Sequence, residues 1–220
     1  LRLAPAASSP LLVNETFVSL QGEGALAGYP CFFIRLTGCN LRCGYCDTRY
    51  AYEGGEERGV PSLKAEWRGS GVPLVQVTGG EPLLQPTAAG LMRSLVRAGA
   101  AVVLETNGSL SLADVPKEVV KVVDRKTPGS GMSHAWLDEN LRWLGGRDQI
   151  KFVLTGRGDY LWAREQVQAR RLWTVAQVLF SPAWGLLEPP RLAEWVLEDR
   201  LRVRFQIQLH KFLWGEKKGK

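Results

Sequence analysis

Short apolar runs alternate with amphipathic stretches along most of this chain, and that alternation constrains the fold more than any other feature. Runs bounded by turn residues predict strands at residues 12–20, 31–36, 73–77, 101–105, 119–123, 150–154, 173–180 and 203–208. Helical patterns fall between them at 62–68, 85–98, 133–144, 158–170 and 191–200. Strands separated by helices imply parallel pairing through right-handed crossovers. The chain has 220 residues, fewer than a closed eight-fold barrel of ~250. The expected fold is therefore α/β, a partial (β/α) barrel whose open parallel sheet carries its helices outside.

With 45% hydrophobic residues the chain can bury a full core, and one domain over residues 1–220 is expected. Residues 1–11 read as a loose leader, because no sustained apolar core precedes Pro10. Apolar runs are short and interrupted by charge, so no membrane span is expected. The net charge of +6 arises from 28 Lys and Arg against 22 Asp and Glu. Arginines are scattered without forming a stripe, and Lys217, Lys218 and Lys220 read as a solvated tail, so no nucleic-acid partner is expected. A basic surface would also draw a small anionic substrate inward, so charge alone does not decide.

In parallel α/β structures the working residues sit at the C-terminal ends of strands. Cys39-x-x-x-Cys43-x-x-Cys46 follows the strand at 31–36. Protein iron–sulfur cubanes usually take four thiolates, so three closely spaced on one loop leave one iron open to another molecule. Four cysteines in a chain of this size also allow a zinc site or buried small hydrophobes. Cys31 stands apart and reads as a packed thiol on a strand. The iron–sulfur reading implies a reducing compartment, hence the cytoplasm.

Further motifs close two more strands. Gly79 and Gly80 let the backbone approach a ligand without Cβ interference, and the carbonyls there with Glu81 can receive a charged amine. Thr106, Asn107 and Gly108 end the next strand, where Asn-Gly also makes an ordinary turn.

The block from Gly38 to Thr48 resembles the signature of the radical S-adenosylmethionine (SAM) superfamily. Membership would place a [4Fe–4S] cluster on Cys39, Cys43 and Cys46, with SAM on the open iron. It would give SAM contacts to Gly79, Gly80, Glu81, Glu105, Thr106, Asn107 and Lys126, and to Ser181 and Pro182 where relatives often carry Gln-Pro. Around Lys126 the chain reads Asp124-Arg125-Lys126 in place of Ser-Pro-Lys, keeping only the lysine.

Phe17 through Gly24, Phe33-Ile34-Arg35, Cys46-Asp47-Thr48 and Gln208 through Gly215 together resemble the 7-carboxy-7-deazaguanine synthase family, over essentially the whole chain. That resemblance implies a lyase converting 6-carboxy-5,6,7,8-tetrahydropterin to the 7-deazapurine with loss of ammonia, in queuosine-precursor synthesis. A radical formed from SAM would take hydrogen from the pterin C6 and return it, so that SAM is a cofactor. Implied substrate contacts are Leu20, Gln21, Gly22, Glu23, Arg35, Thr78 and His210, with Mg²⁺ at Thr48. The side chains suit this: Gln21 offers both donor and acceptor, and Arg35 can clamp a carboxylate. The family also implies a homodimer and an electron donor such as flavodoxin or ferredoxin. Two rival readings stay open. One is a glycyl-radical-enzyme activase with the same loop, and the other a zinc-stabilised basic RNA-binding module.

Overall fold

The computed structural model describes residues 9–217 and 219. Among them nine strands join in one sheet, in the order β3-β1-β2-β4-β5-β6-β7-β8-β9. They are β1 (Leu11–Leu20), β2 (Pro30–Leu36), β3 (Glu56–Arg58), β4 (Leu74–Gly79), β5 (Ala101–Thr106), β6 (Val120–Asp124), β7 (Gln149–Leu154), β8 (Gln177–Pro182) and β9 (Arg204–Phe205). From β2 to β9 every pairing is parallel, while β1 runs antiparallel to both β2 and β3. Helices α1 (Val60–Ser70), α2 (Ala88–Arg97), α3 (Arg157–Ala169) and α4 (Pro189–Glu198) make crossovers, and α5 (Leu209–Trp214) follows β9. The sheet is open, with β3 and β9 at its edges.

Side chains alternate across the strands, and the alternation separates core from site. On the outer face Phe32, Ile34 and Val75 pack with Leu63, Trp67, Leu91 and Leu95 of α1 and α2. Ile150, Phe152, Val178 and Phe180 pack with Tyr160, Ala163 and Leu192 of α3 and α4. Each such large side chain contributes roughly 1.5–3 kcal/mol when buried. The inner face divides in two. Towards the N-terminal ends it is apolar, with Cys31, Phe33, Leu74, Val103 and Val122 in one cluster. Towards the C-terminal ends the same rows present Arg35, Gln76, Thr78, Glu105, Asp124 and Lys151.

The two ends of the open sheet are clasped by the β1–β2 loop and the segment after β9. Gly24 N–H donates to Gln206 Oε1 at 2.7 Å, Gln208 Nε2 to Glu23 Oε1 at 2.8 Å, and Leu209 N–H to the Gly22 carbonyl at 2.9 Å. His210 packs so closely on Gly22 that a Cβ there would overlap its ring.

Several expectations need correction. Leu11 is fully buried at the start of β1, so it does not belong to a loose leader; residues 1–8 lie outside the described residues, as do Lys218 and Lys220 of the basic tail. The helix expected at 85–98 begins at Ala88. Gln85 is extended ahead of Pro86, and its side chain bonds Leu12 N–H, the Leu12 carbonyl and the Thr37 carbonyl. Residues 133–144 form two 3-10 turns, Ser133–Ala135 and Asp138–Trp143, instead of a helix. Trp136 and Leu137 between them are extended, and Leu137 N–H bonds the Gly108 carbonyl instead of an i−4 partner. The strand expected at 203–208 shrinks to Arg204–Phe205, because Gln206 and Gln208 turn to the clasp. Residues 173–180 split into a 3-10 turn at Leu172–Thr174 and β8.

Candidate active site

A cavity of about 480 Å³ opens at the C-terminal ends of the strands. Cys39, Cys43 and Cys46 line it together with Leu20, Gln21, Gly22, Glu23, Arg35, Thr48 and Thr78. So do Gly79, Gly80, Glu105, Thr106, Asn107, Lys126 and His210. Residues scattered over nearly two hundred positions are thus brought to one cavity. Glu81, Ser181 and Pro182 are not part of that lining.

The thiol loop is held by its backbone. Gly38 N–H bonds the Ala51 carbonyl at 2.9 Å, Gly44 N–H the Ser130 carbonyl at 3.0 Å, and Cys46 N–H the Cys43 carbonyl at 3.2 Å. Arg42 caps the Cys39 and Leu41 carbonyls, each at 2.8 Å, and stacks 4.2 Å from the Tyr52 ring centroid. All four cysteines are free. Among the described residues no three His, Cys, Asp or Glu groups converge on a single ion. The three thiols instead share one cavity wall.

This donor set fits an iron–sulfur cluster. Three thiols face the cavity, and Cys39 Sγ receives the Leu41 N–H at 3.4 Å and Asn107 Nδ2 at 3.9 Å, contacts of the kind that tune cluster sulfurs. Burial pushes the Cys39 and Cys43 thiols up, with Lys126 opposing it. Iron would displace those protons on loading. Cys31 is buried in the inner apolar cluster, its pKa pushed up to about 12 by desolvation, as a packed thiol should be.

The Gly-Gly turn is shaped by the same loop. A Cβ on Gly80 would overlap the Gly38 carbonyl oxygen and Cys39 Cβ, and one on Gly79 would overlap the Leu36 backbone. Glu81 fastens this turn to the next. Its fully buried carboxylate accepts Leu83 N–H at 3.0 Å, Thr106 Oγ1–H at 2.8 Å and Asn107 N–H at 2.7 Å. Burial pushes that carboxyl up, against these donors. Glu81 therefore fixes the residues around a ligand while its own carboxylate is engaged within the protein.

A polar wall lies beside the cluster loop. Lys126 Nζ is 2.7 Å from Asp124 Oδ2 and 5.7 Å from the Tyr45 ring centroid. Burial alone would lower its pKa, but Asp124 overrides this and raises it. Arg125 points away, its guanidinium 5.0 Å from the ring centroids of both Trp136 and Trp162, so the Asp-Arg-Lys element offers the cavity only its first and third members. Asp124 Oδ1 is buried without a partner, an acceptor left for a ligand. Ser181 Oγ is likewise buried and unpartnered, behind the wall.

Deeper in, Gln21 Nε2 donates to Gln76 Oε1. Gln76 Nε2 and Thr78 Oγ1 donate to Glu105 Oε2 at 2.9 and 3.1 Å. Lys151 Nζ completes the group at 2.6 Å from Glu105 Oε1 and 2.5 Å from Glu23 Oε2. Burial would push the Glu105 carboxyl up, but Lys151 holds it well below the usual carboxylate range. These contacts set Glu105 in the polar floor beside Gln76 and Thr78. Arg35 is anchored by Glu15 at 2.7 Å and flanked by the rings of Phe17 and Tyr50, so its terminal nitrogens remain as donors. Thr48 Oγ1 donates to Asp47 Oδ1 at 2.8 Å, and the other Asp47 oxygen is ion-paired with Lys211 Nζ at 3.3 Å. Burial pushes the His210 imidazole below its ordinary 6.5, against the pull of Glu23 and Asp47.

Sequence reasoning missed Lys151, Gln76, Asp124 and Gln208. A signal existed for the first: Gln149 and Lys151 are polar positions two apart in an otherwise apolar strand.

Three adjacent strand ends that carry a three-thiol loop, a Gly-Gly turn and a Thr-Asn turn define a radical SAM protein. The superfamily model, Radical SAM superfamily, matches residues 33–126. Chains named 7-carboxy-7-deazaguanine synthase are similar over nearly the full length. The one from Koribacter versatilis is 44% identical over 94% of this chain and 99% of that protein. That from Chlorobaculum tepidum is 41% identical over 94% and 96%, and that from Methanospirillum hungatei 40% over 95% and 88%. The crystal structure of QueE from Escherichia coli has the same fold, with a TM-score of 0.73 at 24% identity over 92% of this chain and 95% of that one. The chain belongs to the 7-carboxy-7-deazaguanine synthase family.

Proposed function

We infer that this protein converts 6-carboxy-5,6,7,8-tetrahydropterin to 7-carboxy-7-deazaguanine with loss of ammonia, supplying a precursor of queuosine. The observation that carries the reading is one cavity with two chemically distinct walls. Cys39, Cys43 and Cys46 stand on one wall, and Gln21, Glu23, Arg35, Thr78 and Glu105 line the other. The loaded cluster supplies the electron that splits the sulfonium of SAM and starts the radical reaction. This chain's residues do the rest of the work by position.

Gly79 and Gly80 let their turn pack directly on the thiol loop, beside which the methionine moiety of SAM would bind, with Thr106 and Asn107 held next to it through Glu81. Lys126 and the free Asp124 oxygen offer a donor and an acceptor to the rest of the nucleoside. Arg35 takes the pterin carboxylate, while Gln21 and Glu23 meet its ring edge. Thr48, with Asp47 beside it, is the place for Mg²⁺, which keeps several waters and substrate oxygens as ligands. The same reading includes a one-electron donor of the flavodoxin or ferredoxin type, a homodimer and a cytoplasmic setting. Among the described residues no helix is long and apolar enough to cross a membrane.

Similarity along the whole chain to proteins named as this synthase favours the small-molecule enzyme over an activase acting on a partner protein. The test is anaerobic incubation of reduced, cluster-loaded protein with SAM and the pterin. The 7-deazapurine should appear by mass and absorbance. A protein carrying zinc without iron or sulfide, and yielding no product, would overturn the assignment.

A further inference from the structure

Lys151 lies in the middle of β7, a strand whose six residues are all buried. An ammonium is expensive to bury, and an apolar side chain of similar volume often serves stability as well or better than a buried ion pair. Yet Lys151, 4% exposed, sits in the cavity wall between acidic groups from three segments. Glu23 comes from the β1–β2 loop at 2.5 Å, Glu105 from β5 at 2.6 Å and Asp124 from β6 at 3.8 Å. Each of the two nearer carboxylates has a second anchor. Gln208 Nε2 holds the other Glu23 oxygen, and Gln76 and Thr78 hold the other Glu105 oxygen. One ammonium thus joins the clasp across the sheet opening to the cavity floor.

We propose that Lys151 is a positioning residue for the pterin, holding Glu23 and Glu105 at a fixed separation as paired acceptors for the N–H donors of the substrate's aminopyrimidinone edge. The inference rests on the proposed function. A ligand lacking those donors would leave two desolvated carboxylates unmatched, so the pair also discriminates between ring edges.

The charged and titratable groups lining the cavity around this point include Glu23, Glu105, Asp124, Arg35, Lys126 and His210, with Asp47 and Lys211 in the same lining. Removing the ammonium leaves three carboxylates, with Arg35, Lys126 and Lys211 as the remaining cations of the same lining among the described residues. Like charges in a desolvated wall raise one another's pKa, so one of them would take up a proton nearer neutrality.

The test is steady-state kinetics of Lys151→Met over a range of pH, with iron content and SAM binding measured in parallel. KM for the pterin should rise about tenfold or more, with a smaller change in kcat, and should gain a pH dependence beyond that of wild type. Lys151→Arg keeps the charge but alters its reach, and its KM should fall between the two. Wild-type KM at every pH in Lys151→Met, or a loss of activity that only follows lost iron, would overturn the inference. Should Lys151→Met not fold, Lys151→Arg decides alone: a raised KM supports the role and an unchanged one refutes it. A wild-type protein that leaves the pterin unconverted refutes the functional reading itself, and this inference with it. Conversion by wild type with unaltered KM in the variants refutes only the role of Lys151.

Discussion

The Glu81 carboxylate and the Asn107 backbone N–H meet at 2.7 Å, tying the Gly-Gly turn after β4 to the Thr-Asn turn after β5. The tie is wholly buried, and Thr106 Oγ1 and Leu83 N–H share the same carboxylate. Glu81→Ala would leave two buried donors and one half-buried donor without a partner. A loss of about 3 kcal/mol is expected, roughly 6–12 °C in Tm for a domain of this size. SAM affinity should fall as well, because Asn107 loses its support. Thermal scans and equilibrium SAM binding check both; an unchanged Tm would mean that other contacts hold the turn.

The four cysteines should divide cleanly. Cys39→Ala, Cys43→Ala and Cys46→Ala should each abolish turnover and cluster absorbance. Cys31→Ala should keep the full iron content and near-wild-type activity, since its thiol lies in the apolar inner cluster. Its cost is limited to a small cavity, about 1 kcal/mol. Iron analysis beside activity checks the division, and iron loss in Cys31→Ala would break it.

His210 sets a pH dependence. Its folded pKa lies below the ordinary 6.5, because burial disfavours the imidazolium more than Glu23 and Asp47 favour it. The unfolded chain therefore binds the proton first. The stability associated with neutral His210 is fully present above pH 6.5 and is lost as pH falls through the folded value. Thermal scans between about pH 7.5 and about pH 5.5 should show a smaller fall of Tm in His210→Asn than in wild type. Equal falls would contradict the assignment.

The placement of the three-thiol loop and the Gly-Gly turn at strand ends was legible in the sequence because both depend on local spacing. Cys39, Cys43 and Cys46 need only one loop, and Gly79 and Gly80 need only a strand end. Glu81 was harder, since its partners Thr106 and Asn107 lie on the next strand and only the fold shows that its carboxylate is engaged. Lys151 was hidden in the same way, its meaning depending on Glu23 and Glu105 from distant segments. Residues 133–144 read as a helix because their local pattern suits one. Tertiary bonds to the Gly108 carbonyl from Leu137 N–H and Asn140 Nδ2 outweigh that pattern. The short β9 follows a similar rule, with Gln206 and Gln208 committed to the clasp.

The most direct measurement counts products under anaerobic conditions, with SAM held well below the pterin concentration. Reduced, cluster-loaded protein should release 7-carboxy-7-deazaguanine and ammonia in equal amounts, with product exceeding the SAM supplied. Cleavage of SAM with the pterin left intact, by protein whose cluster is fully loaded, would contradict the account.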